Sequence, residues 1–287
     1  MTFNRIGVLG CGLMGSGIAE VCARAGIDVV VVEATAEAVK AGRERVSGSL
    51  SRAVARGKLG EAERDEAMAR LAFSDDWDMV AGCDLVVEAI VEDPALKVAA
   101  FERLSATVTA PDAILASNTS SIPIMRLATA TNRPEHVIGL HFFNPVPMLP
   151  LVELVPSLMT SAETKDRVNR FAADALGKHV ILSKDRAGFV VNALLIPYLL
   201  SAIRMLESGF ATADDIDAGM VHGCAHPLGP LALADLIGLD TTMAVAESMY
   251  AEFKEPLYAS PPLLSRMVEA GLLGRKSGRG FYGYSAH

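Results

Sequence analysis

Residues 5–33 have the sequence RIGVLGCGLMGSGIAEVCARAGIDVVVVE, and this stretch decides the fold of the first part of the chain. The apolar run Arg5–Leu9 ends at glycines and predicts a buried strand. Residues 15–26 predict a helix, and Asp28–Val32 predict a second strand. The glycines at the first strand–helix junction are spaced G-x-G-x-x-G, a pattern that lets the backbone approach a pyrophosphate at a helix N-terminus. The stretch therefore predicts the opening of a Rossmann-type α/β domain.

The same stretch indicates which dinucleotide is bound. Gly12 has no side chain to keep a pyrophosphate away from the backbone, and Gly15 allows the helix to pack closely on the strand. Glu33 ends the second strand, where a carboxylate can accept hydrogen bonds from the adenosine ribose. A 2′-phosphate would meet like charge there, so we expect NAD rather than NADP. The expected contacts in this stretch are Gly10, Gly12, Leu13, Met14, Gly15 and Glu33.

The chain beyond Glu33 continues the α/β pattern after one interruption. Residues 35–71 are rich in Ala, Arg and Glu, and they predict two helices that break near residues 58–60. We interpret these helices as a helical hairpin inserted into the regular alternation. Further strands are predicted at Asp84–Ile90, Ala113–Ala116, Val137–Leu140, Leu151–Val155 and Val180–Leu182, and further helices at Pro94–Thr107 and Thr164–Leu176.

Strand signals disappear after Lys184, where four helical segments follow. This change predicts two domains: residues 1–186 form an α/β dinucleotide-binding domain, and residues 187–287 form a smaller all-α domain. Apolar faces around residues 194–206 and 228–239 predict a homodimer interface, with a core inside the domain as the alternative. The predicted helices are Gly188–Glu207, Ala213–His222, Leu231–Ile237 and Thr241–Phe253.

Composition excludes several classes of protein. The 287 residues carry a net charge of −8, which disfavours binding to nucleic acid. The four cysteines have no metal-ligand spacing, so we expect no metal site and free buried thiols in a reducing, cytoplasmic environment. The apolar stretch Phe189–Leu206 is interrupted by Asn192, Pro197 and Arg204, which favours a buried helix over a membrane span.

The candidate catalytic groups lie near the ends of predicted strands. Residues 117–121 follow one strand, and His141 is expected just after the next strand, at the rim where such sheets bind ligands. Glu153 interrupts the apolar run Leu151–Val155, and a buried carboxylate costs several kcal/mol unless it is paired. His141 is the natural partner. A neutral histidine can take a hydroxyl proton near pH 7, so this pair favours oxidation of an alcohol.

Seven motifs in register give the chain a family resemblance. They are GCGLMG (10–15), VVEAIVED (86–93), ASNTSSIPI (116–124), GLHFFNPVP (139–147), GFVVNALLIPYL (188–199), HPLGPLALADLIGLDT (226–241) and GRKSGRGFYGY (274–284). Over essentially its whole length the chain resembles the 3-hydroxyacyl-CoA dehydrogenases, in particular the short bacterial form that acts on 3-hydroxybutyryl-CoA. The resemblance implies NAD-dependent oxidation of an (S)-3-hydroxyacyl-CoA to the 3-ketoacyl-CoA, and the reverse reduction, in fatty-acid or butanoate metabolism.

The resemblance also implies residue roles. It places His141 and Glu153 at the reacting centre, with Ser120 and Asn192 in contact with the substrate. Ser117 and Ser121 flank Ser120, whose selection depends on register with the family. Further cofactor contacts implied by position are Glu92, Lys97, Asn144 and Lys276, and further substrate contacts are Ser49 and Arg56.

A basic segment in the inserted hairpin suggests where coenzyme A binds. Ser49 and Arg56 are seven residues apart and lie on one helical face. We hypothesise that this helix binds the phosphates and pantetheine of the coenzyme, with a solvated amphipathic helix as the alternative. The basic residues of the segment are Arg43, Arg45, Arg52, Arg56 and Lys58.

Two departures and two alternatives accompany the resemblance. Ala187 and Ala193 replace a proline and an arginine that are common in the family, and the second change affects a domain or subunit contact rather than the chemistry. One alternative is a dehydrogenase of a free 3-hydroxy acid, against which the basic segment argues. The other is a non-catalytic NAD-binding protein, against which the presence of both His141 and Glu153 argues.

Overall fold

The structure is a computed structural model that describes residues 3–284. The described chain divides into two compact units, one extending to Asp185 and the other beginning at Arg186. The first unit is α/β and the second is helical, which confirms the predicted fold class.

The first unit contains an eight-stranded sheet with the strand order β3-β2-β1-β4-β5-β6-β7-β8. All neighbouring pairs are parallel except β6 and β7, which are antiparallel. The strands are β1 Arg5–Leu9, β2 Asp28–Val32, β3 Leu71–Ser74, β4 Leu85–Glu88, β5 Ile114–Ser117, β6 Val137–Phe142, β7 Leu151–Pro156 and β8 His179–Leu182. The central strands are buried along nearly their whole length, as expected of strands covered on both faces.

The helices of this unit follow the predicted alternation, including the inserted hairpin. The hairpin consists of α2 and α3, and it breaks at residues 56–60 as predicted. Thr35 caps α2 by accepting a hydrogen bond from the amide of Ala38. The helices are α1 Leu13–Arg24, α2 Ala36–Ala55, α3 Glu61–Ala69, α4 Pro94–Thr107, α5 Ile124–Ala128 and α6 Ala162–Arg170.

Two strands differ from their prediction. Strand β3 was not predicted, because its apolar run is only three residues long, and only Leu71 of its four residues is buried. Strand β6 extends to Phe142, so His141 lies within the strand rather than after it. The extension arises because the antiparallel ladder with β7 continues beyond the apolar residues and pairs His141 with Glu153.

The cysteines are free thiols, but they do not share one environment. Cys11, Cys22 and Cys83 are buried, and burial raises the pKa of the Cys22 thiol to about 12. A thiol with such a pKa stays protonated and unreactive at neutral pH. Cys224 is exposed, which corrects the expectation that all four are buried.

The second unit contains five α-helices within residues 186–284, and the last of them was not predicted. Asp235, in the third of these helices, holds the C-terminal end of the described chain in place. Its carboxylate accepts hydrogen bonds from the amides of Phe281 and Tyr282 and from the hydroxyl of Tyr284. Among the described residues, no helix is long and apolar enough to cross a membrane. The helices are α7 Val191–Glu207, α8 Ala213–Cys224, α9 Pro230–Ile237, α10 Leu239–Phe253 and α11 Pro262–Glu269.

Candidate active site

A histidine–carboxylate pair joins the only two antiparallel neighbours described in the sheet. His141 in β6 and Glu153 in β7 are register partners, and Nδ1 of the ring lies 2.7 Å from Oε2 of the carboxylate. Glu153 is fully buried and the His141 side chain is 8% exposed. An ionised carboxylate can only accept, so Nδ1 carries the hydrogen and Nε2 is the basic nitrogen of the neutral ring.

Two further contacts hold the end of β6 in place. The ring of Phe143 lies 4.6 Å from the ring of His141, measured between centroids, at an interplanar angle of 58°. The side-chain oxygen of Asn118 accepts a hydrogen bond of 2.9 Å from the amide of Phe142. Asn118 directly follows β5, so this bond joins the ends of the two strands that the sequence analysis placed at one rim.

The polar residues after β5 converge on Glu92. The Thr119 hydroxyl donates to Oε1 of Glu92 at 2.5 Å, and the Ser120 amide donates to the same oxygen at 3.0 Å. The Ser121 hydroxyl adds a contact of 3.2 Å. Ser120 is half-buried, whereas Thr119 and Ser121 are buried. Of the three hydroxyl residues, Ser120 is therefore the one whose side chain is accessible to a ligand.

Lys97 is buried between two carboxylates. Its Nζ lies 2.5 Å from Oε1 of Glu88 and 3.3 Å from Oε2 of Glu92. The other oxygen of Glu88 accepts a hydrogen bond of 2.6 Å from the Ser117 hydroxyl. Lys97 is 1% exposed and Glu88 is fully buried. The lysine thus belongs to an internal ion network, which we call the strand-end network: Glu88, Glu92, Lys97, Ser117 and Thr119.

The strand-end network keeps Glu92 ionised. Loss of contact with water alone would raise the pKa of this carboxyl. The charge of Lys97, assisted by hydrogen bonds from Thr119 and Ser120, outweighs that effect and holds the pKa below its usual value. Glu92 therefore presents a fixed negative charge at the rim of the sheet.

The glycine-rich loop has the geometry that a dinucleotide requires. Gly10 has a φ of +87°, and a Cβ at Gly15 would lie 1.9 Å from the carbonyl oxygen of Gly10. Neither position accepts a side chain without rearrangement of the backbone. A Cβ at Gly12, by contrast, would point into open space at the N-cap of α1. The exposed backbone at Gly12 is thus the point at which a pyrophosphate can approach the helix N-terminus.

Glu33 and Arg45 both bind the backbone of Cys11 in the glycine-rich loop. Glu33 accepts a short hydrogen bond from the amide of Cys11, and Arg45 of α2 donates to the carbonyl of the same residue. Glu33 is half-buried directly after β2, as the sequence predicted. Its carboxylate therefore lies beside the glycine-rich loop, where an adenosine ribose would be placed.

A cavity of about 690 Å³ lies beside α1 and α2 and is closed on a third side by the loop after β6. Five residues of the predicted coenzyme-binding segment line it: Arg45, Ser49, Arg52, Arg56 and Lys58. Asn144 lines it from the loop after β6. Arg43 does not line it, because its guanidinium lies over the ring of Phe73 instead. The basic segment and the G-x-G-x-x-G helix thus share one cavity.

Comparison with protein families assigns both parts of the chain. The model for the 3-hydroxyacyl-CoA dehydrogenase NAD binding domain matches residues 5–186, and the model for the C-terminal domain of the same family matches residues 188–284. The chain belongs to the 3-hydroxyacyl-CoA dehydrogenase family. Its cofactor is accordingly NAD, and the geometry of the glycine-rich loop fits that cofactor.

Known members of the family match nearly the whole chain. A 3-hydroxybutyryl-CoA dehydrogenase of Mycobacterium tuberculosis H37Rv is 59% identical over 98% of both chains. The crystal structure of FadB2 from M. tuberculosis has a TM-score of 0.98 at 57% identity, covering 99% of this chain and all of the other. The structure of the (S)-3-hydroxybutyryl-CoA dehydrogenase PaaH1 from Ralstonia eutropha has a TM-score of 0.93 at 45% identity, with the same coverage.

Two predicted site residues of this dehydrogenase lie in the second unit. Asn192 is the second residue of α7 and is half-buried, which corrects the expectation of a buried amide within an apolar helix. Its position in the first turn explains the exposure. Lys276 lies in a short 3₁₀ turn, where its Nζ is 2.6 Å from Oδ2 of Asp240. Within its own unit, this lysine therefore pairs with a carboxylate.

Sequence reasoning missed three charged residues that the structure places in or near these sites. Glu88 ends β4 and belongs to the strand-end network, while Glu20 and Arg24 on α1 line the cavity. Glu88 could have been recognised, since a charged residue at the end of an apolar strand requires a partner. Glu20 and Arg24 gave no such signal, because both fit the polar pattern of an ordinary helix.

Proposed function

We propose that this chain catalyses the NAD-dependent interconversion of (S)-3-hydroxybutyryl-CoA and acetoacetyl-CoA. The observation that carries the proposal is the buried His141–Glu153 pair, with 2.7 Å between Nδ1 and Oε2. Membership of the family supports the reaction class. The substrate name comes from relatives, including the 59% identical 3-hydroxybutyryl-CoA dehydrogenase.

The pair performs the proton transfer of this reaction. In the oxidative direction Nε2 of His141 takes the proton of the C3 hydroxyl. Glu153 holds the ring through Nδ1 and stabilises the imidazolium that forms, as the acid of a catalytic triad does. When bound, NAD would supply the acceptor for the hydride that leaves C3. In the reductive direction, His141 returns its proton to the C3 oxygen.

Four further polar residues are assigned to binding of the reactants. We assign contacts with the C3 oxygen or the thioester carbonyl to Ser120 and Asn192, whose side chains are both partly accessible. Glu92 and Lys97 are assigned to the nicotinamide-ribose side of the cofactor. Because Lys97 is buried, its part is to fix Glu92, whose carboxylate accepts hydrogen bonds from ribose hydroxyls.

Cofactor binding is assigned to the loop and the residues around it. The N-terminus of α1 would hold the pyrophosphate, and Glu33 would hold the adenosine ribose. Asn144 and Lys276 remain assigned by family position alone. The full set comprises Gly10, Gly12, Leu13, Met14, Gly15, Glu33, Glu92, Lys97, Asn144 and Lys276.

Coenzyme A binding is assigned to the cavity beside α1 and α2. Five cationic residues line it, in a protein whose net charge is −8, and phosphates favour such a site. Ser49 and Arg56 contact the coenzyme directly in this proposal. A free 3-hydroxy acid would have no use for this cavity, which favours the thioester over the free acid.

We further propose a homodimer in the cytoplasm. The second unit exposes large apolar side chains at Leu194, Phe210 and Leu236, which are 74%, 80% and 53% exposed, and a dimer would cover such a surface. Free thiols are typical of a reducing compartment. Sedimentation of the purified protein tests the dimer, and a monomer at micromolar concentration would contradict it.

Steady-state kinetics test the proposed reaction. We expect reduction of acetoacetyl-CoA with NADH, slower reduction with NADPH, and a lower kcat/KM for free acetoacetate. Activity on acetoacetate that equals or exceeds activity on the thioester would replace this proposal with the free-acid alternative. Absence of turnover with any of these substrates would favour the non-catalytic alternative.

A further inference from the structure

The side chain of Glu20 is buried in the wall of the cavity beside α1 and α2. Glu20 is 1% exposed, and it lies on the face of α1 that also presents Ser16, Gly17 and Arg24 to the cavity. These residues are spaced three, four and seven apart, so they follow one another along a single helical face. Glu20 is the only acidic residue among those that line the cavity in the described chain.

One oxygen of this carboxylate has no donor. Arg24, one turn further along α1, lies 3.4 Å from Oε1. Within residues 3–284, no N–H or O–H group of the protein donates to Oε2, although that atom is buried. Folded proteins rarely bury an acceptor without a donor, so each such acceptor requires an explanation. The free oxygen therefore suggests a partner outside the chain.

Charge determines what that partner can be. The remaining charged residues of the cavity are cations, namely Arg24, Arg45, Arg52, Arg56 and Lys58. Ionised phosphates carry no hydrogen to donate and are repelled by a carboxylate, so they bind to the cations. Glu20 instead requires a neutral N–H or O–H group; coenzyme A has two hydroxyls, and its neutral N–H donors are the adenine amine and the two pantetheine amides.

We propose that Oε2 of Glu20 accepts a hydrogen bond from a neutral N–H donor of coenzyme A, and that Glu20 thereby helps to select this carrier. The inference rests on the proposed function, because it requires that the cavity binds coenzyme A. Arg24 compensates the charge of Glu20, and the cations of α2 bind the phosphates. The cavity thus contacts the phosphates and the neutral donor of the coenzyme through side chains of opposite charge.

Kinetics of Glu20→Met and Glu20→Gln test this assignment. Methionine has a similar length and no acceptor oxygen, whereas glutamine keeps one. We expect Glu20→Met to raise the KM for acetoacetyl-CoA about tenfold, because one hydrogen bond to a charged group is lost. Glu20→Gln should restore part of that loss. The KM for NADH should not change, and Glu102→Gln, at an exposed position of α4, is the control that should leave both constants unchanged.

A structural role would give a different result. If Glu20 only stabilised the fold, Glu20→Met would lower the melting temperature. A ligand contact predicts an unchanged or higher melting temperature without ligand and a smaller increase on addition of coenzyme A. An unchanged KM for acetoacetyl-CoA, or equal increases in KM for acetoacetyl-CoA and NADH, would overturn the proposal.

Truncated and altered carriers distinguish the two donors. If the donor is a pantetheine amide, Glu20→Met also raises the KM for acetoacetyl-pantetheine. If it is the adenine amine, only the KM for the full thioester changes. Should the variants not fold, the unaltered protein can be titrated calorimetrically with coenzyme A, with its hypoxanthine analogue and with an analogue N-methylated at the amides. Equal affinity for all three would overturn the inference. Failure of the unaltered protein to turn over acetoacetyl-CoA would instead contradict the proposed function.

Discussion

The strand-end network and the cavity beside α1 and α2 both contain several charged side chains, but these differ in burial and in pairing. In the strand-end network, Lys97 and Glu88 are at most 1% exposed, and Nζ of the lysine lies 2.5 Å from Oε1 of the carboxylate. Arg52, Arg56 and Lys58 in the cavity are exposed. Buried pairs keep fixed positions and cannot be removed singly without leaving an unpaired charge. Exposed charges are screened and can be exchanged at small cost.

This difference in burial predicts whether the charged groups of a region affect kcat or KM. Groups held rigidly at the reacting centre act on the rate of the chemical step, since their positions are fixed before the substrate arrives. Exposed cations act on the affinity for an anionic substrate and depend on ionic strength. The following substitutions test this division, beginning with the largest expected effect.

Replacement of His141 by glutamine should abolish most of the activity. We expect kcat to fall about 10³-fold, within the range that a general base contributes, because glutamine cannot take a proton. The KM for NADH should change less than twofold. The matched control is His179→Gln, at the exposed start of β8, which should retain normal turnover. Near-normal kcat in His141→Gln would remove this residue as the base.

Replacement of Lys97 by methionine should affect stability before activity. It leaves Glu88 buried without its cation, and breaking a buried pair in this way costs about 3–5 kcal/mol. Denaturant unfolding measures the loss. Lys40→Met, an exposed lysine of α2, should stay within about 0.5 kcal/mol. A loss below 1 kcal/mol for Lys97→Met would show that the network is more accessible to water than the structure indicates.

Glu33 is intermediate in burial between the strand-end network and the exposed cations of the cavity, and its carboxylate is hydrogen-bonded to the glycine-rich loop. We expect Glu33→Ala to reduce the preference for NADH over NADPH about tenfold, through loss of the ribose contact and of the repulsion towards a 2′-phosphate. The ratio of kcat/KM values for the two cofactors measures this. Glu66→Ala on α3 is the exposed control. If the ratio stays constant, the carboxylate serves only the Cys11 amide.

Arg43 within α2 and Arg56 directly after that helix offer a matched pair, and the expected effect is the smallest. Arg56 lines the cavity, whereas Arg43 lies over Phe73. We expect Arg56→Gln to raise the KM for acetoacetyl-CoA several-fold at low salt, with a smaller difference at high salt, because screening weakens an exposed cation–phosphate contact. Arg43→Gln should leave the KM unchanged. An effect of Arg56→Gln that is independent of salt would exclude a phosphate contact.

The sequence could predict features that depend on local pattern. The G-x-G-x-x-G loop, the strands β1 and β2, the inserted hairpin and the change to helices near Arg186 follow from spacing and periodicity. The pairing of His141 with Glu153 could also be anticipated, because a carboxylate in an apolar strand needs a partner. In each case a rule about neighbouring residues was sufficient.

Other features could not be predicted because they depend on which segments meet. Strand β3 has only one buried residue, so only its pairing with β2 identifies it. Asn192 was expected to be buried, but its exposure depends on where α7 begins. The burial of Lys97 requires Glu88, which is nine residues away on another element.

By itself, the sequence determined the class of fold, the cofactor loop and the two groups of the proton-transfer pair, since these follow from short-range pattern and from the cost of burying charge. Only the tertiary structure decided that His141 lies inside β6, that Lys97 is enclosed by carboxylates, and that Glu20 lines the cavity beside α2. Those facts depend on the register of strands and the packing of helices, which bring together residues that no local pattern relates.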